Sequence, residues 1–146
     1  MTTETIAMDI GNGTRWTKYV IDYKDLNGTA GTSKTIDLFT LPKGGYILKA
    51  RSKHSTAFAG SGITDMSCIV GSAGFTNWVL ADLDIDGTVS DTAFNEGNMP
   101  THPGHAAMTI QAIIGSTGAN LTALTQGVVE IFILAAIPTQ AIYGVT

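Results

Sequence analysis

From residue 35 onward the chain alternates. Ile36, Leu38 and Thr40 interleave with Thr35, Asp37 and Phe39, the period of two that a strand shows when one face meets a core. The same period returns over 46–54, where Ile47, Lys49 and Arg51 share one phase and Leu48, Ala50 and Ser52 the other. It predicts further strands over 63–70, 77–85, 108–114 and 128–136. In 77–85 the inward set is Val79, Ala81, Leu83 and Ile85, and in 108–114 it is Met108, Ile110, Ala112 and Ile114. Residues 128–136 are the most apolar, which assigns them to a sheet centre, and Pro138 ends that strand.

Turn signals punctuate these runs: Pro42, Gly44 and Gly45; Gly71 and Gly74; Asp86 and Gly87. Residues 88–104, broken by Gly97, Pro100 and Pro103, and residues 115–127, rich in Gly, Ser, Thr and Asn, read as loop or hairpin. No segment keeps helical spacing with caps beyond about two turns. Seven short strands at turn-punctuated intervals predict an all-β fold, an antiparallel β-sandwich of jelly-roll type.

The first third has a different texture. Gly11-Asn12-Gly13 and the Gly-rich run 27–33 flank one β-rich stretch, 15–22, with Trp16, Tyr19, Val20 and Ile21. Its apolar residues do not continue the clean alternation. Residues 1–33 are therefore expected to be an N-terminal arm or edge segment that gains order in an assembly, and 34–146 the sandwich domain. Trp16 and Tyr19 are its expected anchors. Trp78, which flanks an inward Val79, is a third candidate interface residue.

Composition narrows the function. The 146 residues suit one domain with a core that needs no staple. Only 14% are charged, against about 25% in ordinary domains, which suits a surface that lies against other protein. The net charge is −4, and the basic residues are scattered except for Lys49, Arg51 and Lys53 on one strand face. A polyanion site needs a denser cluster, so no nucleic-acid partner is expected. Residues 1–13 hold no basic region and no long apolar stretch, so neither a signal peptide nor a membrane association is expected. The single cysteine, Cys68, is in phase with Met66 and Val70 and reads as a small core residue.

Candidate chemistry is sparse. Asp82, Asp84 and Asp86 followed by Gly87 match the first half of an EF-hand loop, but the twelfth position is Ala93 rather than Glu. On a strand the three carboxylates simply share the solvent face. His102 and His105 are too few for a zinc site. Gly11-Asn12-Gly13-Thr14 lacks the Lys-Ser/Thr ending of a phosphate loop, and Gly60-Ser61-Gly62 is not a nucleophile elbow. No metal, no cofactor and no catalytic activity are expected.

Three stretches carry a resemblance: Leu38-Phe39-Thr40-Leu41-Pro42-Lys43-Gly44-Gly45-Tyr46-Ile47, Trp78-Val79-Leu80-Ala81-Asp82-Leu83-Asp84, and Gly127-Val128-Val129-Glu130-Ile131-Phe132-Ile133. Through them, residues 35–138 resemble the small β-sandwich virion proteins of tailed bacteriophages, of the head decoration (cement) type. The resemblance implies a virion protein, made in the host cytoplasm, that stabilises the head through contacts with the major capsid protein or other virion subunits. It carries no catalytic motif across. Low charge and apolar strands with few blunting charges imply a homo-oligomer, with a homotrimer expected. A tail or neck component is the alternative within that class. A carbohydrate-binding module, resting on Trp16, Trp78 and Tyr46, is the alternative outside it.

Overall fold

The computed structural model describes residues 1–9, 14–87, 95–96 and 106–136. The 11–13 turn, the His102–His105 pair and Pro138 lie outside these residues, as does the side chain of Asp82. Among the described residues the strands are β1 (Thr2–Asp9), β2 (Thr14–Asp22), β3 (Ser33–Leu41), β4 (Tyr46–Gly60), β5 (Asp65–Ser72), β6 (Phe75–Asp84), β7 (Asn95–Glu96), β8 (Met108–Thr117) and β9 (Leu124–Ala136).

They form two antiparallel sheets in the orders β1-β2-β9-β4-β7 and β3-β8-β5-β6. The pairings are nested. β5 pairs with β6, β4 with β7, β3 with β8, and β2 with β9. A ribbon of such pairs wrapped into two facing sheets is a jelly roll. The innermost pair closes through Ala73-Gly74, between Ser72 and its partner Phe75. Gly74 there has φ +85°, a conformation that glycine adopts without penalty.

The core fills the space between the sheets as one cluster. Ile131 and Ile133 of β9 and Ile21 of β2 come from the larger sheet; Val70, Leu80, Ile110 and Ile114 come from the smaller. In β8 the alternation holds without a break: Ile110, Ala112 and Ile114 are buried and the residues between them are half-exposed. β4 links the two layers. It pairs with β9 from Tyr46 opposite Ala136 to Gly60 opposite Leu124, with register shifts along the way, and the Phe58 amide donates to the Ile85 carbonyl beyond the end of β6 (2.9 Å).

The N-terminal third differs from the arm expected above. Only β1 is an edge strand. β2 is paired along its whole length with the central strand, from Thr14 opposite Ala136 to Asp22 opposite Val128. Its inward set, Tyr19 and Ile21, is 2% and 0% exposed. Asp22 then caps a short 3-10 turn at Tyr23–Asp25, its carboxylate accepting from the Lys24 amide (2.9 Å) while Asp25 accepts from the Asp22 amide (2.9 Å). That turn drops Leu26 into the core, fully buried. No domain boundary falls at 33/34, because both sides of it fill the same core.

Cys68 lies inside that core, on β5, and burial pushes its thiol up to about 12. The thiolate is the reactive form. The folded protein is therefore expected to resist a thiol-alkylating reagent at mildly alkaline pH and to be labelled once denaturant is added; mass spectrometry reads both states. Rapid labelling of the native protein would contradict this burial.

Candidate assembly surface

The alternation that puts Tyr19 and Ile21 inside puts Trp16, Lys18 and Val20 on the outer face of the larger sheet. On β9 the outer set is Val128, Glu130, Phe132 and Leu134, and on β4 it includes Lys49, Arg51 and Lys53. The register brings these together. Trp16 lies opposite Leu134, and Phe132 lies between Lys18 on one side and Arg51 on the other.

Two zones result. One is a charged ladder across four strands. Lys18 Nζ is 2.9 Å from Glu4 Oε2 on β1 and 4.0 Å from Glu130 Oε1 on β9. Lys53 Nζ on β4 is 3.5 Å from Glu130 Oε2. The hydrogen bond to Glu4 holds the Lys18 ammonium above its ordinary value. The other zone is apolar. Ile6, Trp16, Phe132 and the side chain of Arg51 line a shallow pocket of about 240 Å³. Ile6 is 50% exposed. Tyr46 and Leu48, also exposed, lie on β4 at the end of the sheet where Tyr46 pairs with Ala136.

The three aromatics expected at an interface separate. Trp16 lies in the outer pocket. Tyr19 instead stacks on Phe39 of β3 across the core, with ring centroids 6.0 Å apart and planes 10° from parallel. Burial raises its phenol above its ordinary value. The spacing already contained this result: Trp16 and Tyr19 are three apart, and residues three apart on a strand face opposite ways. Trp78 is 8% exposed, and its indole donates to Ser72 Oγ (3.1 Å) across the hairpin. The reason is a change of phase in β6. Val70 pairs with Leu80 but Cys68 pairs with Leu83, so a bulge falls between them. Leu80 is inward before the bulge and Leu83 after it, while Ala81, expected inward, is exposed. Ile6 and Phe132 are not legible in the sequence as neighbours of Trp16, because only the register brings them to it.

The acidic stretch has a local structural explanation. The Asp84 carboxylate accepts from the amides of Asp86 (3.2 Å) and Gly87 (2.9 Å), and Asp86 accepts from the Met66 amide (3.2 Å). The His54 ring lies 3.1 Å from the Gly87 carbonyl. The Asp84 and Asp86 carboxyls hydrogen-bond each other, and this holds Asp84 below the usual carboxylate range. Partial burial, with the neighbouring Asp84 charge, holds Asp86 above it. Among the described residues no group of three or more His, Cys, Asp or Glu could hold a metal ion. No helix among them is long and apolar enough to cross a membrane.

No protein-family model matches the chain, and no curated protein matches it. Its fold resembles that of bacteriophage capsid chains. One is a chain of the cyanophage Pam1 capsid asymmetric unit, with a TM-score of 0.57 and 17% identity over 90% of each chain. Another belongs to the acidic stable capsid structure of Helicobacter pylori bacteriophage KHP30, with a TM-score of 0.47 and 16% identity over 91% of this chain and 93% of that one. At these identities the likeness is one of fold.

Proposed function

We propose that the protein is a bacteriophage virion structural component, and specifically a decoration (cement) protein that stabilises the head by binding the assembled shell. The observation that carries this reading is the likeness, over nine-tenths of both chains, to a chain of the cyanophage Pam1 capsid asymmetric unit. The physics of the surface supports it. A face with a charged ladder and an apolar pocket offers a partner both register and buried area. Trp16 and Phe132 are the anchors of that face, since large rings in a pocket dominate contact energy. The role is structural rather than catalytic. The partners are the major capsid protein or other virion subunits, and on the particle the copies group as homotrimers. The sugar-binding reading loses one of its three aromatics, since Trp78 is in the core while Trp16 and Tyr46 stay on the outer face.

The test is co-sedimentation with shells assembled from the capsid protein encoded alongside it. The wild-type protein is expected to sediment with the shells. Trp16→Ala combined with Phe132→Ala is expected to weaken binding at least tenfold, the loss of about 1.4 kcal/mol or more that one anchor supplies. Both positions lie on the outer face, so the melting temperature is expected to move little. Wild-type protein that stays in the supernatant would refute the reading.

A further inference from the structure

Among the described residues the two sheets end in four edges, and three of them are blunted. β7 has only two residues. β3 carries Lys34 and Asp37 and a register shift between Asp37 and Phe39. β6 is interrupted by two register shifts in its pairing with β5. Short length, charge and bulges are the ordinary means by which sheets avoid pairing with other chains. β1 lacks them over its first half. Thr2 to Thr5 pair with Val20 to Thr17 without a break, and the shift comes only after Thr5. The strand contains no Lys, Arg, Pro or Gly. Its one charge in this stretch, Glu4, is held by Lys18 at 2.9 Å. Residues 1–6 are all exposed, Met1 to 42% and Ile6 to 50%.

We infer that β1 is a self-association edge, and that two copies join through antiparallel β1–β1 pairing about a two-fold axis into one continuous sheet. A second copy is the occupant that this edge fits. It presents the same row of backbone donors and acceptors, and an antiparallel pair is the stronger geometry. Thr2, Thr3 and Thr5 are β-branched residues that pair well across strands. The contact is isologous, so it uses both β1 edges at once and leaves neither open to a further copy. It also covers the exposed Ile6 of each copy. On a particle such a contact joins copies that belong to neighbouring trimers. In solution it needs no shell, so its outcome is independent of the virion reading.

The experiment measures mass in solution, by light scattering or sedimentation equilibrium, on the full chain at rising concentration. One copy has a mass of 15.2 kDa. The wild-type protein is expected to reach an even-numbered species. The double variant Thr3→Lys with Thr5→Lys sets like charges against each other across the two-fold and is expected to halve that mass. The association is expected to weaken on the order of tenfold or more. Both threonines are exposed, so an unchanged melting temperature and circular dichroism spectrum identify the effect as one on association. Hydrogen exchange supplies the second reading: the amides of 2–6 gain protection as wild type associates, and those of the variant do not. A protein that stays monomeric, as it would if the edge takes a foreign strand, overturns the inference. So does an oligomer whose mass the variant leaves unchanged.

Discussion

Removing residues 1–33 is expected to unfold the protein. The segment supplies Tyr19, Ile21 and Leu26, all at most 2% exposed. Burying a side chain of this size contributes about 1.5–3 kcal/mol, so the three together contribute roughly 5–9 kcal/mol, against a total stability of about 5–15 kcal/mol for a domain. The deletion also strips the nine-residue partner from β9. An apolar strand exposed at an edge invites aggregation. The expected product is insoluble, or soluble without a cooperative melting transition. A shorter deletion, residues 1–9, is the control. It removes β1, whose one strand partner among the described residues is β2, and is expected to leave a cooperative transition. If both truncations melt alike and near wild type, β2 is not part of the core.

Gly127→Val is expected to be strongly destabilising. Gly127 lies under the Phe58 ring with φ +139°. A Cβ there would sit 2.3 Å from Phe58 Cγ and Cδ1 and 2.8 Å from Phe58 Cα. The Phe58 ring is 2% exposed and its amide is tied to Ile85, so the ring cannot move aside cheaply. Overpacking costs about 1–3 kcal/mol and a β-branched residue at such a φ about as much again. A loss of about 4 kcal/mol lowers the melting temperature of a domain this size by roughly 8–16 °C. Gly28→Ala is the matched control, since a Cβ there meets nothing within 4 Å. Calorimetry of the two variants checks the difference. A Gly127→Val protein that melts within about 2 °C of wild type would mean that the Phe58 site is not closed.

The period-two pattern was a good guide where a strand has one wet and one dry face throughout. β8 and the second half of β9 are such strands, and their inward residues follow from parity alone. It failed where that condition fails. Thr2 to Ile6 of β1 are all exposed, so they show no alternation to read. β6 changes phase at a bulge, and an inward set counted straight through it goes wrong at Ala81 and Trp78. β4 runs on to Gly60 and β9 begins at Leu124, because Gly127 serves Phe58 within a strand rather than ending one. Trp16 could be found from the sequence as an aromatic on a strand near the N-terminus. Its neighbours could not, since Phe132 joins it through a pairing between residues more than a hundred positions apart.

The nested pairing also sets an order in time. In the larger sheet β9 lies between β2 and β4, and in the smaller sheet β8 lies between β3 and β5. The two strands that hold the layers together are thus the last described strands to leave the ribosome. Until they emerge, β2, β3 and much of β4 wait with apolar faces uncovered; the pairs that can form earlier are β1 with β2, β5 with β6 and the two-residue contact of β4 with β7. Closing loops of this length carries an entropic cost that local contacts do not offset, which makes such topologies slow to fold. The nascent chain therefore carries uncovered apolar strand faces for most of its synthesis, and the sandwich can close only after translation of β9.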